Sequence, residues 1–289
     1  MNNINILMSV NKKFLDHVEE LIFSLLHYSS RPLNIYLMYI KDELKEEDLE
    51  NIKIFVNNIG NGKIIPILFD AKSLEGMPVT DNEGDFFGME AYSRLFCAYT
   101  VPEEIEKILY LDADMICTGD IAELYDLEFD GKIWIACEDG GIQENDLIRL
   151  DLPLDYKYIN SGMLLIDIKK IRENYPEKDM VKMIRENREV LIYPDQDFIN
   201  KMFSKEIKIV DNKYNLIAKG IRYKDLKSKP LIIHYAGSTK PWNDDVSRFE
   251  IEYIEPYYEA MRLQGKDKKT KLEQLLEKHR EYGYNDQIG

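Results

Sequence analysis

The segment ILYLDADMICTGD, residues 108–120, carries the side chains best placed to do chemistry. An apolar run that reads as a strand over 107–111 delivers Asp112 and Asp114, with the small Ala113 between them. Residues two apart at a strand end face the same side, so two carboxylates meet at one point. Held that close without a partner they repel, and one proton or one cation relieves the conflict. Hard oxygen donors suit magnesium or manganese, and an ion held by few protein ligands keeps positions open for phosphate oxygens. By itself the pair also reads as a solvated cap on the turn that Gly119 closes.

Three further constellations follow. In LIIHYAGSTKPW a strand over 231–234 delivers His234, then a turn carries Gly237, Lys240 and Pro241-Trp242. An imidazole as third ligand favours manganese over magnesium. Gly237 lets the backbone approach a phosphate closely, and Lys240 offers it a point positive charge. The plain alternative is a strand-end histidine and a surface lysine. In YPDQDFIN, Asp195, Gln196 and Asp197 stand where a loop enters a helix. They present a carboxylate and an amide to a polyhydroxylated ligand, or one aspartate is the helix N-cap. In YINSGMLLID, Asn160-Ser161-Gly162 reads as a tight turn before a buried strand.

Alternating strands and helices must position these groups. Strands are expected over 5–10, 33–40, 64–69, 107–111, 133–137, 163–168 and 231–234. Phe14, Leu15, Val18, Leu21, Ile22, Leu25 and Leu26 keep helical spacing and are followed by Pro32. Residues 42–59 and 91–99 also read as helices, and 70–88 as a loop. Such alternation predicts a single α/β domain whose central sheet is mixed but mostly parallel, covered by helices on both faces. Ligands in these folds lie at the carboxyl ends of the strands, where the acidic step sits. From Phe249 onward the pattern is helical only, which divides the chain into 1–248 and a C-terminal extension, 249–289. No internal repeat or low-complexity linker interrupts it. Neither G-x-G-x-x-G after the first strand nor G-x-x-x-x-G-K-[ST] anywhere is present, against dinucleotide oxidoreductases and P-loop NTPases.

In combination and order, the strand-plus-SVNKKF start, AYSRL, YLDADM, NSG, DQD and HYAGSTKPW make the first 250 or so residues resemble glycosyltransferase family 8. These are the retaining galactosyl- and glucosyltransferases of the lipopolysaccharide-enzyme and glycogenin type. The resemblance implies a GT-A fold that binds UDP-glucose or UDP-galactose as donor, with a glycan or lipid-linked acceptor. It implies Mn2+, with Mg2+ as the alternative, on Asp112, Asp114 and His234. By position, Ser9, Asn11 and Lys13 match contacts to uracil and ribose, and Arg94 matches an arginine near the diphosphate and sugar. Ala113 lies within the acidic step at the donor. Asn160 and Gly162 match residues under the donor sugar, Asp195 and Gln196 the pair beside the anomeric carbon, and Gly237 and Lys240 diphosphate contacts. Asn11-Lys12-Lys13 stands where members often carry Asp-Asp-Asn or Asn-Asp-Asn. The implied reaction proceeds by front-face attack, Asp195 being the one motif carboxylate that could serve as a nucleophile instead.

Composition narrows the alternatives. The 289 residues hold 38 basic and 53 acidic side chains, a net charge of −15, which argues against sequence-independent nucleic-acid binding. Three cysteines, Cys97, Cys117 and Cys137, have neither disulfide nor zinc spacing and read as buried thiols. The start, MNNINILMSVNKKF, lacks a signal-peptide pattern, and no apolar run reaches membrane-spanning length. A cytoplasmic protein is expected. Its helical tail from Lys266 is a candidate for peripheral contact with the inner face of the membrane, although Glu273, Glu277 and Glu281 among its lysines read equally as a solvated helix. The segments 70–88 and 138–158 are expected to border the acceptor. Two rival readings are a haloacid-dehalogenase-type phosphotransferase, with Asp112 as nucleophile, and a non-catalytic nucleotide-sugar-binding protein.

Overall fold

A computed structural model of the chain describes residues 2–74, 77, 80–82, 85–87, 89–219, 223–243 and 249–266. Strand β1 (Ile4–Ser9) leads into helix α1 (Lys12–Tyr28), where Asn11 caps the helix by accepting from Phe14 N at 3.2 Å. The expected apolar face is buried, from Leu15 through Leu26. Strand β2 (Leu33–Ile40) follows, then helix α2 (Glu46–Ile59) and strand β3 (Gly62–Phe69). Helix α2 starts four residues later than its charge pattern suggests. Asp42 takes a left-handed turn at φ 69°, and Asp48 reaches back to accept from Lys45 N at 3.0 Å, which fixes the start. Within 70–88, expected to be a loop, lie a 3-10 turn, Ala71–Leu74, and a small hairpin of β4 (Thr80–Asn82) and β5 (Asp85–Phe87).

The helix expected over 91–99 is broken into α3 (Glu90–Ser93), a 3-10 turn Arg94–Phe96, and α4 (Cys97–Thr100). Strand β6 (Lys107–Leu111) runs into the acidic step, and β7 (Met115–Cys117) leaves it. Then come α5 (Ala122–Tyr125), β8 (Trp134–Glu138), α6 (Glu144–Arg149) and β9 (Ile159–Asp167). Helices α7 (Ile168–Asn174), α8 (Glu177–Asn187) and α9 (Pro194–Met202) precede three short strands and a last helix: β10 (Ile207–Val210), β11 (Leu216–Ile217), β12 (Ile232–His234) and α10 (Ile251–Leu263).

The seven-stranded sheet has the order β10-β8-β9-β6-β1-β2-β3 and is parallel except for β9, which runs antiparallel to both β6 and β8. The carboxyl ends of β1, β6 and β8 therefore share one edge with the amino end of β9. Here the structure corrects the reading of residues 160–162: they are not a turn but the opening of β9, with Asn160 paired to Cys137. Alternate residues of the strands feed two cores. Ile4, Ile6 and Met8 pack with α1 and α2, whereas Leu7, Tyr36 and Met38 pack with Leu95, Phe96, Ile171 and Phe198. A second sheet, β11-β12-β7, shares a third core with Phe249, Tyr253, Ile254 and Tyr257 at α10. All three cysteines are free and buried, and burial pushes the Cys97 and Cys117 thiols up to about 12. Among the described residues no helix is long and apolar enough to cross a membrane, and the tail 267–289 lies outside them.

Candidate active site

The acidic step is gripped by two sheets. Asp112 N donates to Gly162 O at 2.8 Å, which ties the step to β9. Beyond it β7 pairs antiparallel with β12, matching Met115 to His234, and Tyr235 N donates to Asp114 O at 3.0 Å. Two segments 120 positions apart are thereby zipped together, and the histidine lands beside the carboxylates. His234 Nε2 lies 3.3 Å from Asp114 Oδ1 and 3.8 Å from Asp112 Oδ2. One ligand atom from each of the three residues falls within 4.8 Å of the others. Two carboxylates and one imidazole, converging at a strand edge, are the right donors for a divalent ion of the manganese type, so the residues fit the metal.

Cations surround the two carboxylates. Asp112 Oδ1 accepts from the Tyr110 hydroxyl at 2.7 Å and faces Arg94 Nη2 at 2.9 Å. Arg94 lies over the Tyr110 ring, 4.2 Å from its centroid, and donates to Ser161 O at 2.8 Å. Its Nε faces Asp195 Oδ2 at 3.1 Å. Burial works against the charge on Arg94, but Asp112 and Asp195 outweigh it and raise the pKa. Burial likewise pushes the Asp195 carboxyl up, with Arg94 pulling it down. Asp114 pairs with Lys240, which also donates to Tyr235 O at 2.8 Å. Burial opposes the charge on Asp114, yet Lys240 and His234 hold its carboxyl well below the usual range.

Glycine is required twice, for different reasons. A Cβ at Gly162 would lie 2.5 Å from His234 Cε1 and 2.7 Å from Asp112 Oδ2, so the residue is small because the site leaves no room. Gly237 sits at φ 85°, a left-handed turn between His234 and Lys240, and a Cβ there would meet Lys219 Nζ at 2.7 Å.

Farther along the same edge, Asn160 and Gln196 are joined. Asn160 Nδ2 donates to Gln196 Oε1 at 3.1 Å and to Asp139 Oδ2 at 3.1 Å. Ser161 N also donates to Gln196 Oε1, at 3.1 Å. Asp195 and Gln196 come from the first turn of α9, whose cap is Tyr193 with Pro194 just inside, so neither aspartate is the N-cap. Asp197 instead folds back to accept from Ile192 N and Tyr193 N at 2.7 and 2.8 Å. Arg149, at 2.8 Å, and the Tyr158 hydroxyl, at 2.7 Å, complete its shell, so it locks the loop ahead of Asp195 and Gln196.

The start of α1 reaches the same region through Trp242. Its ring stacks on His17 at 4.0 Å and meets Phe14 edge-on at 6.2 Å. Ser9 ends β1 on the shared edge, half-buried. Asn11 spends its side-chain oxygen on the helix cap, Lys12 pairs with Asp48, and Lys13 is exposed on α1. Asp112, Asp114, His234, Lys240, Arg94, Asn160, Asp195 and Gln196 are thus brought together by the fold, with Ala113 buried within the acidic step. The sequence pattern does not single out Tyr110, Asp139 or Asn215, because a hydrogen-bond partner needs no characteristic spacing.

A model of the family described as Glycosyl transferase family 8 matches residues 5–246. The chain belongs to glycosyltransferase family 8. The lipopolysaccharide 1,2-glucosyltransferase of Escherichia coli (strain K12) is 28% identical over 253 residues, covering 83% of this chain and 74% of that protein. The lipopolysaccharide 1,3-galactosyltransferase of Salmonella typhimurium (strain LT2) is 26% identical over 254 residues, covering 84% and 74%. Among solved structures, the galactosyltransferase LgtC in complex with donor and acceptor sugar analogues superposes with a TM-score of 0.76 at 19% identity, covering 89% of this chain and 95% of that one. The glycosyltransferase GlyE of Streptococcus pneumoniae gives 0.66 at 22% identity, covering 90% and 60%. The family 8 chain has the GT-A fold, and family membership sets aside the phosphotransferase reading.

Proposed function

We propose that this glycosyltransferase moves glucose or galactose from a UDP-sugar to a glycan or glycolipid acceptor, with retention and with Mn2+ bound by Asp112, Asp114 and His234. The convergence of those three residues at the strand edge carries the reading. The two lipopolysaccharide glucosyl- and galactosyltransferase relatives support the hexose and the saccharide-lipid acceptor. An ion bound there would neutralise charge on the departing diphosphate. The chain's own residues do the rest. Lys240, beside the left-handed turn at Gly237, brings a positive charge to the leaving group. Arg94 ties Asp112 to Asp195, so the metal side and the sugar side are positioned by one guanidinium.

Asp195, 3% exposed and engaged by Arg94, is suited to holding sugar hydroxyls rather than to attacking carbon. Gln196, whose amide is fixed by Ser161 and Asn160, is a dipole set in place before the sugar carbon gains charge. Both features favour front-face attack. Donor incubated without acceptor should leave no stable adduct on Asp195; a glycosylated Asp195 peptide would overturn the front-face reading.

Ser9, Asn11 and Lys13 at the end of β1 and the start of α1 are assigned to the nucleoside, and 70–88 with 138–158 to the acceptor side. Residues 1–248 are taken as the catalytic unit. Residues 249–289 are taken as an extension seated on it through α10, with contact to the inner face of the cytoplasmic membrane as its proposed use. The primary test is UDP release from UDP-glucose and UDP-galactose with manganese and with chelator. Activity should need the metal, and Asp112→Asn should lose it on the order of 100-fold or more at any manganese concentration. Binding of the nucleotide sugar without any turnover would favour a non-catalytic binding protein.

A further inference from the structure

The His234 imidazole is held from behind. Its Nδ1 lies 3.0 Å from Asn215 Oδ1, and Asn215 Nδ2 donates to Asn160 Oδ1 at 2.9 Å. Asn160 continues to Gln196 and Asp139, and Gln196 Nε2 returns to the same Asp139 oxygen at 3.3 Å. One line of side-chain amides thus runs from the metal ligand to the sugar-facing pair. Asn215 is 2% exposed and His234 3%, so water does not compete for these contacts.

The polarity of this line is decided by the backbone. Gly162 N points at Asn160 Oδ1 at 3.0 Å, and Ser161 N points at Gln196 Oε1. A backbone N–H only donates, so both side-chain atoms must be oxygens. Asn160 then turns its NH2 toward Gln196 and Asp139, and its oxygen receives the NH2 of Asn215. What Asn215 has left for His234 is an oxygen, which requires a proton on Nδ1. Nε2 is then the ring nitrogen that faces Asp112 and Asp114.

We propose that Asn215 is a positioning residue for both halves of the site. It keeps a proton on His234 Nδ1, so that Nε2 is the nitrogen offered to a divalent ion, and it sets the Gln196 amide through Asn160. The ion half rests on the manganese reading above; the hydrogen-bond polarity does not.

The test begins with histidine-labelled, metal-free wild type. Long-range nitrogen–proton spectra should show a proton held on His234 Nδ1, toward Asn215, whatever the state of Nε2; a bare Nδ1 overturns the proposal, and no variant has to fold for this result. Two variants then separate the halves, each checked by thermal melting. Asn215→Asp keeps an acceptor for Nδ1 but cannot donate to Asn160. Its Nδ1 proton should persist and its Mn2+ affinity, read by electron paramagnetic resonance without nucleotide, should stay within roughly threefold of wild type. Its kcat should fall on the order of 10–100-fold through a misplaced Gln196. Asn215→Leu removes both contacts and should weaken Mn2+ binding by about 10–100-fold. A leucine variant that binds Mn2+ as tightly as wild type, or an aspartate variant with unchanged kcat, overturns the proposal. A wild type that binds no Mn2+ defeats the metal reading instead, while the Nδ1 proton still decides the role of Asn215.

Discussion

Gly162 shows how tightly single residues are constrained. A Cβ there would run into the imidazole and one carboxylate at once, so the smallest possible addition must move His234 or Asp112. Gly162→Ala is expected to lower manganese affinity and activity on the order of 100-fold while the melting temperature changes little. A rate near wild type would show that His234 can shift without cost. Tyr110 acts one contact further out. Its hydroxyl holds Asp112 while its ring carries Arg94, and Tyr110→Phe removes only the first. The manganese concentration for half-maximal activity should rise by about tenfold. The residues legible in the sequence were those whose chemistry is unusual for their setting: two carboxylates after an apolar strand, a histidine at another strand end, a lysine beyond a glycine. Asn215 and Tyr110 escaped because an asparagine or a tyrosine near a strand is ordinary, and its partner is chosen by tertiary contact alone.

At the scale of elements, the apolar periodicity located α1, β2 and β6 well, since each packs a regular stripe or a continuous buried run. It misplaced the opening of β9. Asn160-Ser161-Gly162 looks like turn chemistry, yet backbone pairing to β8 and the Gly162 bond to Asp112 keep it extended. The broken helix around Arg94 was hidden for a related reason: a change from α to 3-10 winding leaves the spacing of apolar residues almost unaltered. One arginine steadies the irregular stretch that follows. Arg172, on α7, donates to the carbonyls of Ala98, Val101, Pro102, Glu103 and Ile105, at 2.6 to 3.0 Å. Arg172→Met leaves these without their donor and should cost roughly 2–4 kcal/mol, read as a lower urea midpoint. Kinetic constants at low temperature should change little, because Arg172 touches none of the reacting groups.

Across the whole molecule, α10 closes the small sheet and is fastened to α1 at its far end. Lys266 pairs with Glu19 at 2.7 Å and with Glu20 at 2.8 Å. Glu20 is 1% exposed, and burial raises its pKa above 4.5 while Lys266 pulls the other way. A carboxyl whose pKa is higher in the folded state contributes stability below its unfolded pKa and loses it as pH rises through the folded one. Ionised Glu20 is therefore a net liability at neutral pH, despite its partner. Glu20→Gln should gain stability relative to wild type as pH rises above the ordinary carboxyl value of 4.5, measured as a widening difference in melting temperature. A constant difference would remove Glu20 as the cause. The fold class followed from strand–helix alternation, and so did β12, but its partners β7 and β11 did not, because they run to only three and two residues.

That small sheet has a consequence for the order in which the chain acquires its abilities. Asp112 and Asp114 are synthesised early, but the strand that brings them an imidazole comes 120 positions after Asp114. All seven strands of the large sheet precede β12, so a growing polypeptide can have made them while it still holds only two of the three converging residues. The three groups can therefore meet only after residue 234 has been made, so any chain stopped before it lacks the imidazole altogether.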